Sequence, residues 1–332
     1  MLEHGGRLLR ASRIYNIPAA QWLDLSTGIS PFAWSVPDLP ASAWQRLPED
    51  DDGLVETACA YYGSTHMLPV AGSQAAIQAL PDLRSRSRVG VISPGYNEHA
   101  HAWRRAGHVV ETAPASVLLD DASRFDVIVL IHPNNPAGDR FTRDALLACH
   151  ENLAARGGWL VVDEAFMDAT PQDSLCGEAH REGLIVLRST GKFFGLAGAR
   201  AGFVAAHPAQ LEALGERLGP WTLTGPTRVV VKQALADHAW QVRAREWLHK
   251  ASERLAGVLA RRGLVPTAGC AFFQWWCDER AGDVHAALAR QGILTRLFEA
   301  PASLRFGLPP DDAGFAKLEQ ALHLLDMKEH AP

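Results

Sequence analysis

Short, almost continuous apolar runs alternate with longer amphipathic stretches through the middle of the chain. The runs at 89–93, 109–112, 127–132, 159–163 and 185–189 are rich in β-branched or bulky apolar residues and lack clean alternation, the pattern of strands covered on both faces. Helical periodicity fills the gaps at 98–106 and 143–156, and precedes the runs at 54–62 and at 73–83, where a helix opens after Gly72. Residues 67–70 read as one further strand. This order predicts an α/β domain with a largely parallel, doubly wound sheet. The segment 28–53, with Pro31, Pro37, Pro40, Pro48 and Gly53, reads as an irregular arm.

The character changes after Pro226. Residues 227–262 read as mostly helix, with short strands near 271–276 and 303–306 and a last helix over 313–327. That is a smaller α+β unit. The expected division is an arm over 1–39 that joins the small domain, a large domain over 40–225, and the rest of the small domain over 226–332.

Composition narrows the function classes. The 332 residues are 47% hydrophobic and 21% charged, with a net charge of −5. That balance argues against a nucleic-acid binder held by phosphate contacts. Five cysteines at 59, 149, 176, 270 and 277 are odd in number and lack metal spacing, so reduced thiols and no bound metal are expected. No run approaches the ~18 apolar residues of a membrane span, and the first residues lack the apolar core of a signal peptide. A soluble, cytoplasmic protein acting on a small molecule, with no nucleic-acid or membrane partner, is the expectation.

Candidate chemistry collects where the predicted strands end. Asn135 follows one strand, Asp163 ends another, and Ser189 to Lys192 follow a third; ligands of open parallel sheets bind at the carboxyl ends of strands. Lys192 is followed by Phe193, Phe194 and Leu196, apolar neighbours that disfavour the ammonium form and favour a nucleophilic amine. Alone, such a lysine is more often a surface residue with its stem over the aromatic pair. Asp163 alone could as well cap the following loop, and Asn135, before a proline, also suits a turn. Gly72, Ser73 and Gln74 open a helix whose free N–H groups can take a phosphate. Tyr96 follows the strand at 89–93. His99 and His101, two apart on a predicted helix, face different sides and read as surface or packing residues.

The run Ser189-Thr190-Gly191-Lys192, with Arg200 eight residues after the lysine, resembles the signature of pyridoxal 5'-phosphate (PLP) enzymes of the aspartate aminotransferase-like fold (fold type I, class I/II aminotransferases). The resemblance implies a large domain with a mostly parallel central sheet, a smaller α+β domain, and Lys192 joined to PLP as a Schiff base. It implies that Asp163 pairs with the pyridine nitrogen, Asn135 donates to the 3-oxygen, and Tyr96 stacks on the ring. Gly72, Ser73, Gln74, Ser189, Lys192 and Arg200 surround the cofactor phosphate in relatives. Phe166 stands where many relatives carry a tyrosine that also bonds the 3-oxygen. Arg305, in SLRFG, matches the arginine that grips the substrate α-carboxylate. Arg296, in GILTR, resembles a second arginine of members that bind phosphorylated amino acids.

Within that family the chain is more similar to the threonine-phosphate decarboxylases than to the histidinol-phosphate aminotransferases. The similarity lies in His4-Gly5-Gly6, in the run LDLSTGISPF from Leu23 to Phe32, in DEAFMD, and in GKFFGLAGARAGF. His4, Ser26, Thr27 and Gly28 thereby become candidate substrate contacts. The expected reaction is decarboxylation of L-threonine O-3-phosphate in cobalamin biosynthesis. An aminotransferase on histidinol phosphate or a similar amino acid is the alternative, and a non-catalytic protein that keeps the fold is the alternative of another class. The resemblance also implies a homodimer, although Leu47 replaces a tyrosine that relatives often contribute across the interface.

Overall fold

The computed structural model describes residues 3–329. In chain order the strands are β1 Leu23–Asp24, β2 Met67–Val70, β3 Arg88–Ile92, β4 Val109–Ala113, β5 Val127–Ile131, β6 Trp159–Asp163, β7 Leu184–Ser189, β8 Gly202–Ala205, β9 Ala268–Cys270, β10 Phe273–Cys277, β11 Ile293–Leu294, β12 Arg296–Glu299 and β13 Ala302–Gly307. The α-helices are α1 Leu8–Tyr15, α2 Ser42–Gln45, α3 Leu54–Tyr62, α4 Ser73–Ala79, α5 Glu98–Arg105, α6 Ala115–Asp120, α7 Arg143–Ala154, α8 Thr190–Phe193, α9 Pro208–Leu218, α10 Gly225–Ala236, α11 His238–Ala260, α12 Ala281–Arg290 and α13 Asp312–Glu329. No helix is long and apolar enough to cross a membrane among the described residues.

Two compact units divide the chain. The larger holds Ala33–Asn135 and Asp139–Arg243; the smaller holds Met1–Phe32, Pro136–Gly138 and Ala244–Pro332. The divisions expected at 39/40 and 225/226 stand instead at 32/33 and 243/244. The second difference arises because α10 packs on α2 and α3, so its apolar face belongs to the larger unit. Residues 1, 2 and 330–332, counted in the expected arm and small domain, lie outside the described residues.

The larger unit is built on a seven-stranded sheet in the order β2-β8-β7-β6-β5-β3-β4. From β4 through β3, β5 and β6 to β7 every pair is parallel. At the other edge β8 runs antiparallel to both β7 and β2. The central strands have the apolar runs they do because both faces are covered: every residue of β5 and β7 is buried. After β4 the chain returns past β3 to lay down β5 on its other side, which creates a switch point at the carboxyl ends of β3 and β5. The expected helix over 73–83 starts as an α-helix and finishes as a 3-10 turn at Leu80–Leu83; Pro81 in that turn has no N–H with which to continue the α pattern.

The smaller unit carries the antiparallel sheet β12-β13-β10-β9 and the parallel pair β1–β11. The arm is woven into it. The Leu25 N–H donates to the Leu294 carbonyl at 2.7 Å, and the Gly307 N–H donates to the Leu25 carbonyl at 2.7 Å. Thr27 lies so close that a Cβ on Gly307 would sit 2.3 Å from its carbonyl oxygen. Only a glycine lets the arm cross there.

Candidate active site

In the larger unit, β6 ends on Asp163, which is buried. Its Oδ2 lies 2.9 Å from the His99 Nε2, and its Oδ1 accepts the Ala165 N–H at 3.0 Å. His99 is itself buried, on the same side of α5 as Ala102 and Trp103. The expectation that His99 is surface or packing is therefore corrected: it is the side-chain partner of the acid. His101, two residues on, is exposed. The signal available in the sequence was the spacing of His99 with Ala102 and Trp103, which puts the imidazole on the apolar face of its helix.

Tyr96 lies edge-on to His99 with ring centroids 6.2 Å apart. Its hydroxyl donates to the Gln74 Oε1 at 3.1 Å, and the Gln74 amide donates to Glu98 at 3.1 Å. Burial, reinforced by Glu98 and Asp163, pushes the Tyr96 hydroxyl up to about 12, so it remains a neutral donor. Asn135 is half-buried just beyond β5. The preceding Asn134 pins that loop, its amide donating to the Pro94 carbonyl at 2.8 Å and to Asp139 at 2.7 Å.

Ser189 closes β7 and lies opposite Gly202 of β8. Lys192 follows in α8, with its Nζ 5.7 Å from the centre of the Phe166 ring. Phe193 and Phe194 are fully buried and anchor the turn that carries the amine. Gly72 has a φ of +70°, and a Cβ there would lie 2.9 Å from the Arg200 Nη2. A Cβ on Gly202 would lie 2.6 Å from the Ser73 nitrogen. These glycines let the first turn of α4 close on both β8 and the arginine. Arg200 itself is held in the left-handed region at a φ of 52°, a strained backbone for a residue with a Cβ. A guanidinium beside the positive end of a helix is unfavourable on its own and becomes favourable around an anion. The donor set therefore fits a phosphate, with an amine, a buried acid and an aromatic ring belonging to the same unit.

In the smaller unit, Arg296 of β12 and Arg305 of β13 are directly opposite one another in the sheet register. Like charges at facing positions weaken a sheet. Arg305 is buried and donates to the Ser26 carbonyl at 2.7 Å. Burial first, and then Arg296, brings its guanidinium down to about 10, with Asp24 among the groups that oppose the shift; it is cationic at neutral pH. Arg296 is also shifted down by burial, and its Nη2 donates to the Glu3 carbonyl at 2.7 Å. His4 is half-buried beside Glu3, and Gly28 is buried one residue beyond Thr27. The candidate residues thus fall into two sets, Gly72, Ser73, Gln74, Tyr96, Asn135, Asp163, Ser189, Lys192 and Arg200 in the larger unit, and His4, Gly28, Arg296 and Arg305 in the smaller.

Comparison with known proteins agrees with this arrangement. A model of the family "Aminotransferase class I and II" matches residues 44–320. The chain is 56% identical to a curated threonine-phosphate decarboxylase from Pseudomonas aeruginosa, over 100% of this chain and 99% of that protein. It is 38% identical to another from a Sinorhizobium species, over 98% and 99% of the two. Its fold is similar to that of a solved histidinol-phosphate aminotransferase from Sinorhizobium meliloti in complex with pyridoxal-5'-phosphate. That likeness has a TM-score of 0.81 at 19% identity and covers 98% of this chain and 96% of the other. The chain belongs to the class I and II aminotransferase family.

Proposed function

We propose that the chain is a PLP-dependent lyase that decarboxylates L-threonine O-3-phosphate to (R)-1-amino-2-propanol phosphate and carbon dioxide. The observation that carries this reading is the facing pair Arg296 and Arg305. Two adjacent guanidiniums suit a substrate with two anionic groups, here a carboxylate and a phosphate. The near full-length identity to threonine-phosphate decarboxylases supports the same substrate.

Lys192 would hold the cofactor covalently, Gly72, Ser73, Ser189 and Arg200 would hold its phosphate, and Tyr96 and Asn135 would contact its ring and 3-oxygen. When bound, PLP supplies an aldehyde for the substrate amine and a ring that accepts the electron pair left behind by departing carbon dioxide. Asp163 keeps the pyridine nitrogen protonated, and His99 fixes which way that carboxylate points. Arg305 binds the substrate carboxylate and Arg296 its phosphate. His4 and Gly28 line the arm side of the substrate. Gripping the two charges sets which bond at Cα is broken, and that choice separates decarboxylation from transamination on one fold. A proton then replaces the lost carboxylate at Cα.

The aminopropanol phosphate product suits assembly of the cobalamin nucleotide loop, so the proposed setting is cobalamin biosynthesis in the cytoplasm. The active form is proposed to be a homodimer. Trp44 and Leu47, on and just after α2, and Trp221, shortly before α10, are exposed apolar residues, and α2 lies against α10. Purified holoenzyme given threonine phosphate should release carbon dioxide and the amine in equal amounts. A 2-oxo acid formed in place of carbon dioxide would overturn the reading in favour of an aminotransferase. Lys192→Ala should abolish turnover.

A further inference from the structure

Three guanidiniums of the smaller unit converge on one side chain. The Glu3 carboxylate lies 3.1 Å from Arg10, 3.9 Å from Arg296 and 4.0 Å from Arg7. One carboxylate is thus shared among three guanidiniums. The hydrogen bond from Arg10 holds the Glu3 carboxyl below its usual range despite the opposing cost of burial, with Arg296 and Arg7 adding to it. Exposed ion pairs of this kind contribute little to stability, so the clustering needs another reason.

The turn before α1 supplies one. A Cβ on Gly5 would sit 2.1 Å from the Ser26 carbonyl oxygen, and the Gly6 N–H donates to the Ser26 hydroxyl at 2.7 Å. Ser26 is the residue whose carbonyl binds Arg305. The glycine pair therefore locks Arg7 at a fixed place relative to both arginines assigned above to substrate. One end of the turn rests on the partner of Arg305 and the other, Glu3, on Arg296.

We infer that Arg7 is a further phosphate-binding residue, and that Glu3 is an internal anion holding Arg7, Arg10 and Arg296 together until a substrate phosphate takes its place. The inference rests on the reading of the substrate as a phosphorylated amino acid. A phosphate monoester carries about −1.5 to −2 charges at pH 7, more than the single charge of the carboxylate it displaces, and three guanidiniums already converge on that carboxylate. Release of Glu3 costs little because it is a solvent-facing side chain.

The test uses holoenzyme, whose cofactor-phosphate site is filled, with inorganic phosphate as the probe. Calorimetry gives its affinity, and steady-state assays with threonine phosphate give kcat and KM. Arg7→Gln should weaken inorganic phosphate binding and raise KM about tenfold, the scale of one charge-assisted hydrogen bond, with kcat within about twofold. Arg7→Lys should recover part of the loss. Glu3→Gln should tighten phosphate binding, by about threefold or more on the same scale, and it carries the test if Arg7→Gln does not fold. Arg13→Gln, an exposed position on α1, should change neither. Unchanged phosphate affinity in Arg7→Gln, or weakened affinity in Glu3→Gln, overturns the inference even if threonine phosphate is decarboxylated. An Arg7-dependent phosphate site in an enzyme that does not turn over threonine phosphate leaves the inference standing and removes the proposed reaction.

Discussion

Asp163 and Glu164 are neighbours in sequence with unlike surroundings, because successive residues at a strand end face opposite sides. Asp163 meets His99; Glu164, wholly buried, meets Arg188 at 2.6 Å, the Ser174 hydroxyl at 2.5 Å and the Leu175 N–H at 2.7 Å. Burial raises the Glu164 carboxyl and Arg188 works against that rise. Arg188 also binds Asp168 at 3.1 Å, so this second network stays within the protein while Asp163 belongs to the site. Lys192, Asp163 and Arg200 could be proposed from sequence because the signature they resemble carries a lysine, an acid and an arginine at set spacings. His99 was not, since helix spacing tells which face a side chain takes and not what stands opposite. Its role as a positioning residue predicts that His99→Ala lowers kcat by about 10- to 100-fold, the worth of a buried hydrogen bond to a charged group. His99→Gln, which keeps a donor, should restore most of it. The pH dependence of the visible cofactor band should move with kcat, and a band and rate both unaltered in His99→Ala would remove the assigned role.

Elements meet at the site through glycines and buried polar groups. The parallel strands were legible from their apolar runs, and β2, β6 and α3 fall on the expected residues. The antiparallel β8 begins at the end of GLAGARAGF, where three glycines and three alanines carry no strand signal and pairing with β2 and β7 decides the conformation. Gly202 is the point at which β8 touches the first turn of α4. Gly202→Ala should therefore destabilise the protein by about 1–3 kcal/mol, as overpacking does, and should loosen PLP binding as well; denaturant unfolding and cofactor titration read the two effects. His132, just past β5, makes stability depend on pH. Its backbone N–H donates to the Asp163 carbonyl at 2.8 Å and its Nδ1 accepts the Phe141 N–H at 3.3 Å. Burial brings the imidazole down to about 4 from 6.5, with Arg140 adding to the shift. Below 6.5 the unfolded chain takes up a proton that the folded chain refuses until about 4. Stability contributed by the neutral ring is thus full above that window and is lost as pH falls through it, by up to about 1.4 kcal/mol per pH unit. His132→Asn should flatten the fall in urea midpoint between those limits, and an unchanged slope would assign the loss to other groups.

At the scale of the whole molecule, the sequence showed two kinds of unit but not where the arm goes. β1 pairs with β11, joining Leu23 to Ile293, and no local pattern announces a contact between such distant residues. The same limit applies to surfaces: an exposed tryptophan looks like any other in sequence. Trp44 is 70% exposed, Leu47 66% and Trp221 60%. Three large apolar side chains this exposed, on and just after α2 and shortly before α10, suit an interface better than a solvent face, and Trp221 holds a left-handed backbone at a φ of 57°, unusual for a bulky side chain. A homodimer of this 36.1 kDa chain should therefore be recovered by sedimentation. Placing a charge in a desolvated contact is costly, so Trp44→Glu and Leu47→Glu should shift the mass towards that of one chain and lower activity together. A wild-type enzyme that sediments as a single chain at full activity would leave those side chains exposed for some other purpose.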